Sequence, residues 1–581
     1  MIVHRILKKF QQILNRHQKI RIIELTILMV IGGFMEMLSV SLMVPFINAV
    51  MDPGATMEKW YAKIFCNIFH IGQGETRKFL IVLAVVLALL YVIKNLYLLL
   101  ENNFQYRFVY GNMFMIQQRL LNNYLHRPYE YFLAIETGEV IRVIQTDVTN
   151  SFLALTSLLE IFAEVIVTGV LLVTLLVIST FITIGIIVIL CAALLIIMCV
   201  VKPIMAKAGK KNQRAAAEIN KWMMQSIQGI KEIKISQKES YFEKEFAANG
   251  QSYVNTLRIN AVLSQLPRFI IEAVSMSAIF IMIAVMIGNG TDLVTFIPTL
   301  SALAMAAVRL LPAINRISSG LGLLAYYEPS IDKLIKNLNE AQLAPLDIYD
   351  KRVAIKPLQD NVSLSHIYFH YPSNDDKYVL KDSSLIIHKG ESIGITGPSG
   401  AGKTTAIDIL IGLLKPQKGV VTIDGTDIML DREDWFKQIG YIPQSIFMLD
   451  GSIRDNVAFG ILKEEVVDDQ IWTALKEASL YDFVKSLPDQ LDTKVGERGV
   501  RISGGQKQRI VIARALYNNP SILIFDEATS ALDNDTEKAI MQSVENLHGQ
   551  KTMVIIAHRL TTIENCDHVF QVKDSNIIRI R

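Results

Sequence analysis

Six apolar runs in the first 313 residues constrain this chain more than any other feature. A bilayer span needs about 20 mostly apolar residues. The runs lie at roughly 22–50, 79–100, 152–178, 181–201, 268–288 and 292–313. The third–fourth and fifth–sixth connections are tight, around Ser179–Thr180 and Gly288–Thr291, whereas residues 101–151 and 202–267 form long connections. Of the 581 residues 51% are hydrophobic, and the mean hydropathy of +0.34 is high for a soluble protein. The apolarity sits in the first half, and the second half has the composition of a soluble α/β domain. The length implies several domains. We place a helical transmembrane domain at 1–334, a linker at 335–360 and a second domain at 361–581. The stretch LAPLDIYDKRVAIKPLQDN (343–361) has prolines, mixed charge and no clean period, as a linker should.

Basic residues near the spans set orientation. Arg5, Lys8, Lys9, Arg16, Lys19 and Arg21 precede the first span with no acid among them. The fourth–fifth connection carries Lys202, Lys207, Lys210, Lys211, Arg214, Lys221, Lys231 and Lys234, and the tight turns carry none. The N-terminus, both long connections and the second domain are therefore expected in the cytosol, in a multi-pass protein of the cytoplasmic membrane. The long connections have helical periodicity. About 20 extra helical residues reach about 30 Å, so the spans are expected to continue into the cytosol. The hairpin tips near Pro128–Gly138 and Ile227–Ser236 become candidate coupling elements.

Residues 1–21 form a basic amphipathic segment, with Ile6, Phe10, Ile13 and Leu14 on one side, suited to the inner membrane surface. Met57, Trp60, Tyr61, Ile64, Phe65, Ile68 and Phe69 recur at i, i+3, i+4 and predict a short outer helix. It either packs on its own spans or meets a lipid-borne substrate. Glu36, Lys94, Glu160, Glu164, Glu272 and Arg309 fall inside spans. Such residues pair with one another or line a cavity. Glu160, Glu164, Glu272 and Arg309 are the candidate substrate-cavity residues. The net charge of +3 is too mild to imply nucleic acid. Cys66, Cys191, Cys199 and Cys566 are widely separated, so neither a disulfide framework nor a metal site is expected. No cleavable signal peptide is visible, because the first apolar run begins near residue 22.

The second domain carries the chemistry. Residues 397–404 read GPSGAGKT, after the strand-like SIGIT and before the helical TTAIDILIGLL. This is a phosphate-binding loop in its proper setting. Gly397, Gly400 and Gly402 let backbone N–H groups close on phosphates, with Ser399 and Thr405 beside them, and a helix N-terminus adds its dipole. Lys403 is placed to reach the β- and γ-phosphates of ATP, and the Thr404 hydroxyl to bind Mg²⁺. SILIF (521–525) is a second apolar strand ending in Asp526, suited to Mg²⁺, and Glu527, suited to orienting and deprotonating water.

The order of motifs resembles the ATP-binding cassette family, over the whole chain, in the exporter arrangement of six spans followed by one cassette. The resemblance makes Ser503, Gly504, Gly505 and Gln506, within RISGGQKQR, the signature loop that holds the γ-phosphate from the opposite subunit. It assigns Gln444 to the loop linking Mg²⁺ and water to the membrane domain. Tyr371 becomes the adenine-stacking aromatic, Ser530–Asp533 the D-loop, with Asp533 at the cofactor, and His558 the switch histidine. TKVGERG (493–499) resembles an exporter loop that touches coupling helices. Ile502 replaces the usual leucine before SGGQ, an apolar exchange expected to be harmless. Lys403 and Ser503 belong to opposite faces of the composite site, so the resemblance implies a head-to-tail homodimer, with ATP holding the cassettes together and hydrolysis resetting them.

For the substrate, the outer helix and ALAMAAVRLLPAINRI resemble, more loosely, the lipid-linked oligosaccharide flippases of bacterial glycosylation. That resemblance would set Arg309, and Arg268, against the pyrophosphate of a polyprenyl-pyrophosphate glycan. The alternative is a multidrug, lipid or peptide exporter of the same architecture. A third class, an ATP-gated channel, would need only nucleotide binding and not the hydrolytic residues Glu527 and His558.

Overall fold

The computed structural model describes residues 2–581 except 73, 179–183, 185–194, 196, 289–292, 344–353, 372–376, 497–498, 500, 528–544, 546 and 558–562. The chain divides into two compact units, Met1–Arg127 with Ala134–Leu346, and Pro128–Leu133 with Asp347–Arg581.

The first unit is helical: α1 (Ile2–Ile13), α2 (Arg16–Ser41), α3 (Met43–Met51), α4 (Pro53–Met57), α5 (Trp60–Ile68), α6 (Thr76–Leu125), α7 (Tyr129–Ala134, mostly in the second unit), α8 (Thr137–Arg142), a π-helical turn (Val143–Asp147), α9 (Val148–Ile178), α10 (Lys202–Gln228), α11 (Ile230–Ser236), α12 (Glu239–Gly288) and α13 (Leu293–Leu343). Among the described residues, Thr76–Leu125 and Thr137–Val170 are long and apolar enough to cross a membrane. Most of the expected fourth span, 181–201, falls outside the described residues. The helices do run on beyond the apolar stretches. α6 and α12 each continue unbroken for 50 residues, and short helices α7 and α11 stand at the two hairpin tips.

Two expectations are corrected. The first apolar run is not one regular helix. At Leu42, between α2 and α3, the bonds from Leu42 N–H to Leu38 O (3.0 Å) and from Phe46 N–H to Leu42 O (3.2 Å) continue, but Pro45 has no N–H to give Ser41, and the helix is interrupted for one residue. Pro45 lies four residues after Ser41, and a proline ring clashes with the carbonyl four residues back. The N-terminal segment does not offer its apolar face to lipid. Ile2, Ile6, Phe10, Ile13 and Leu14 are buried in the protein. Arg5 and Lys9 bind Glu328 of α13 at 2.7 Å, and Lys9 also binds Asp332 at 2.5 Å. Protein–protein burial with charge pairing outcompetes an interfacial position.

The second unit has two sheets. An antiparallel sheet has the order β2-β1-β4-β5, and a six-stranded one the order β10-β9-β3-β8-β7-β6. The strands are β1 (Asn361–Phe369), β2 (Leu380–His388), β3 (Ser392–Thr396), β4 (Lys418–Ile423), β5 (Thr426–Asp427), β6 (Ile439–Ile442), β7 (Ile522–Asp526), β8 (Thr552–Ile556), β9 (His568–Lys573) and β10 (Asn576–Arg579). β9, β3, β8, β7 and β6 run parallel. Parallel strands are covered on both faces, and β7 and β8 are buried at every position. One core gathers Phe369, Ile393, Ile409 and Trp435 around β1, β3 and α14 (Lys403–Ile411). A second surrounds α15 (Gly504–Leu516), with Ile453, Leu475 and Ile510. Residues 128–133 belong to this unit, where Glu130 Oε1 accepts the Lys415 amide N–H at 3.3 Å.

Candidate functional site

β3 and β7 end at the same edge of the parallel sheet, separated only by β8. Ligands of open parallel sheets bind at the carboxyl ends of the strands. The loop after β3 is GPSGAGKT, and the residues closing β7 are Asp526 and Glu527. Strand pairing, not proximity in sequence, thus brings the two motifs together.

The loop needs its glycines. Gly397 and Gly402 take φ of 148° and 104°. A Cβ at Gly397 would lie 2.5 Å from Val572 O, and one at Gly402 2.8 Å from Val379 Cγ1. α14 therefore starts at Lys403, behind a residue only glycine suits. Ser399 and Gly400 are exposed at the loop crest. Lys403 is buried, and its Nζ donates to the carbonyls of Gly397 at 3.0 Å and Pro398 at 3.2 Å, so the ammonium sits within the arc of the loop. Thr404 is exposed at the first turn, and Thr405 Oγ1 meets Tyr371 Oη at 3.0 Å. Tyr371 is held edge-on by Phe369, with ring centroids 5.1 Å apart.

Gln444 Nε2 donates to Glu527 Oε2 at 2.6 Å. Glu527 has φ of 49°, a left-handed conformation uncommon for a residue with a side chain. Such strain clusters at functional sites. Asp526 is buried: Tyr441 Oη donates to its Oδ2 at 3.1 Å, and its Oδ1 has no partner among the described residues. Burial pushes the Asp526 carboxyl up, and the Glu527 charge adds to this against the pull of Tyr441 and Lys403. Hard cations take carboxylate, hydroxyl and amide oxygens. The orphaned Asp526 Oδ1, with the Thr404 hydroxyl and the Gln444 amide oxygen, fits Mg²⁺.

Tyr441 and Asp408 were missed by the sequence reading. Burial and the Asp526 charge push the Asp408 carboxyl up to about 6. Asp408 stands four residues after Thr404, an acid on the buried face of an apolar helix, and that misplacement was a usable signal. Tyr441 is found through the parallel register of β6 and β7, which pairs it with Ile524.

Ser503 caps α15. Its Oγ accepts the Gln506 N–H at 3.3 Å, and Gln506 Oε1 accepts the Ser503 N–H at 2.9 Å, a reciprocal capping box. The hydroxyl proton stays available to a phosphate, as do the N–H groups of Gly504 and Gly505 at the helix start. Among the described residues, no hydrogen bond joins Ser503–Gln506 to the phosphate loop. Asp533 and His558 lie outside the described residues, as do Glu497 and Arg498 of the exporter-type loop.

The candidate cavity residues are dispersed. Glu164 is buried and pairs with Arg316 at 3.0 Å, a partner the sequence reading did not name. Glu160 is exposed, and exposed Glu272 faces Arg268 of its own helix at 4.0 Å. The Arg309 side chain lies outside the described residues.

A family profile described as "ABC transporter" matches residues 380–530, and one described as "ABC transporter transmembrane region" matches residues 22–296. A "Multidrug resistance ABC transporter ATP-binding and permease protein" of Lactococcus lactis subsp. lactis (strain IL1403) is 30% identical over 471 residues, 80% of this chain and 77% of that protein. This chain is an ABC transporter. It carries a membrane region and an ATP-binding domain in one chain, the half-transporter arrangement, and it couples ATP hydrolysis to transport. The "Toxin RTX-III translocation ATP-binding protein" of Actinobacillus pleuropneumoniae is 40% identical over 245 residues, 42% of this chain and 34% of that protein. The transporter shares its fold with a solved structure of a bacterial Atm1-family ABC exporter with ATP bound. The TM-score is 0.73 at 23% identity, over 97% of this chain and 95% of that one.

Proposed function

We propose that this ABC transporter works as a pair of identical chains that moves a lipid-linked oligosaccharide outward across the cytoplasmic membrane by alternating access. In this reading 1–334 is the transmembrane domain, 335–360 the linker and 361–581 the cytosolic ATP-binding domain. Lys403 and the loop amides hold the ATP phosphates, with Tyr371 at the adenine. Gln444 and Glu527 orient the attacking water, and Glu527 takes its proton. Asp526, Thr404 and Gln444 hold Mg²⁺, which when bound neutralises charge on the β- and γ-phosphates. Ser503, Gly504 and Gly505 of the second copy close the site, His558 contacts the γ-phosphate, and Asp533 sits at the subunit junction. The Gln444–Glu527 hydrogen bond carries the hydrolytic reading, because it sets a carboxylate beside the amide that must share the same water.

The substrate reading rests on α5. Its Ala62 and Cys66 are buried with Ile71 and Phe79, while Trp60, Ile64 and Ile68 are exposed along one stripe. An apolar stripe headed by tryptophan suits the membrane interface, where a lipid carrier would arrive. Exposed Arg268 and the Arg309 position are the candidates for its pyrophosphate. The named relatives favour a second reading, a multidrug or polypeptide exporter of the same architecture.

The test is ATP-dependent translocation of a labelled short polyprenyl-pyrophosphate glycan in proteoliposomes, with Glu527→Gln as control. Flipping by the wild type alone is expected. Robust ATPase without flipping would refute the glycolipid and turn the search to drugs and peptides.

A further inference from the structure

α13 presents one polar stripe to its neighbours. Tyr326, Ser330, Lys333 and Asn337 are spaced by four, three and four residues, so they share a helix face. In a packed bundle this face is normally apolar. Here each step but the first meets a polar partner from another helix. Asn337 Oδ1 accepts the Tyr124 hydroxyl of α6 at 2.6 Å. Lys333 pairs with Glu139 of α8. Ser330 Oγ accepts from Asn150 of α9 at 3.4 Å. At the centre, Arg142 donates to Asp147 at 2.7 Å, and Gln213 of α10 donates to the other Asp147 oxygen at 3.3 Å. Asp147, Arg142, Ser330 and Asn337 are all buried.

The π-helical turn makes the centre possible. In an α-helix, residues five apart lie about 140° apart around the axis. The turn at Val143–Asp147 lies between the two charged groups. Its wider winding brings positions i and i+5 onto one side, so Arg142 and Asp147 face each other. Such a pair is weak evidence for stability, because taking two charges out of water offsets their attraction. What such a buried network can supply is a unique register, because every slipped alignment strands a buried charge.

We propose that the polar ladder on α13, pinned by Arg142 and Asp147, locks the cytosolic lengths of α6, α9, α10 and α13 into one register, so that movement driven by ATP reaches the outer side of the membrane domain. Arg142 and Asp147 are positioning residues in this account. It rests on the alternating-access reading above.

The test replaces the pair by apolar residues of similar size, Arg142→Met with Asp147→Leu. This keeps the fold where Asp147→Ala would leave a buried guanidinium alone. Spin labels at exposed Ile68 of α5 and, separately, at exposed Lys463 of the ATPase half report distances between the two copies, in a background with the four cysteines replaced by serine. Wild type is expected to shift at both sites on ATP–vanadate trapping. The double variant is expected to keep its melting temperature and the shift at residue 463, while the shifted population at residue 68 falls about tenfold relative to wild type. A variant that shifts fully at residue 68 overturns the ladder alone. A wild type that shifts only at residue 463 overturns alternating access, and the ladder with it.

Discussion

Glu527→Gln separates the chemistry of the ATP site from its architecture. The replacement has the same size, and its amide oxygen can still accept from Gln444 Nε2, which approaches the Glu527 carboxylate at 2.6 Å. The backbone N–H of residue 527 bonds to Ile556 O at 3.2 Å and does not depend on the side chain. Lys403 and the loop amides are untouched, so ATP should bind with nearly unchanged affinity. Only the negative charge and the proton-accepting lone pair are lost. A positioned general base contributes about 10²–10⁴-fold, which is about 2.7–5.4 kcal/mol at about 1.36 kcal/mol per decade. Single-turnover phosphate release and ATP titration of the same sample measure the two halves. Residual hydrolysis within about tenfold of wild type would remove Glu527 as the base. A second substitution checks the strain. The left-handed backbone of Glu527 (φ 49°) costs a residue with a side chain about 1–2 kcal/mol. Glu527→Gly should therefore melt no lower than Glu527→Gln while being equally inactive. A lower melting point would mean that the conformation is held by side-chain packing and not by the loop.

Gly402→Ala places a Cβ 2.8 Å from Val379 Cγ1 on a residue with φ of 104°, and should weaken ATP binding about 5–30-fold by calorimetry, from about 1–2 kcal/mol of strain; unchanged affinity would show that the loop tolerates a side chain there. Acid should release α1. Burial alone would raise Glu328, but Lys9 and Arg5 hold it below its ordinary value, so its contribution is full above about pH 4.3 and is lost as pH falls through the lowered folded value. Measured by hydrogen exchange relative to the intrinsic rate at each pH, residues 2–13 should keep constant protection between pH 5 and 8 and lose it on acidification below about pH 4.3 before the rest of the helical unit does. Protection that falls only together with the whole unit would refute the ion-pair account.

The ATP site was legible because its motifs carry their own geometry. GPSGAGKT contains the glycines that its positive φ values demand, and the apolar runs SIGIT and SILIF could only be buried parallel strands. RISGGQKQR contains its own capping box, three residues apart. Tyr441 and Asp408 escaped because their meaning comes from strand register and from which helix face is buried, and neither appears in a motif. The membrane half was legible as apolar length but not as contacts. Glu164 finds Arg316, a residue just past the expected end of the last span, and no pattern in either helix announces the other. The basic amphipathic segment failed differently. Its moment correctly marked one face for burial, but amphipathicity does not say whether lipid or protein covers that face. Glu328 and Asp332, more than 300 residues away, decide it.

The π-helical turn marks the limit of reading by period. Residues 137–178 look like one continuous helix to any 3.6-residue template, and on that template Arg142 and Asp147 point in different directions. One extra residue in a turn leaves composition and hydropathy unchanged, so nothing local distinguishes the two windings. The choice is made by what each winding does with two charges that cannot reach water. On the α-helical winding the two would lie about 140° apart and could not pair with each other, and a buried charge without its partner costs several kcal/mol. The π winding sacrifices some backbone hydrogen-bond geometry and joins them at 2.7 Å, with Gln213 alongside. A site of this kind becomes visible only once the neighbouring helices are in place. It is therefore where the packing of the transmembrane unit overrides local preference, and where a change of two side chains should alter the transmission of movement without altering the ATP site.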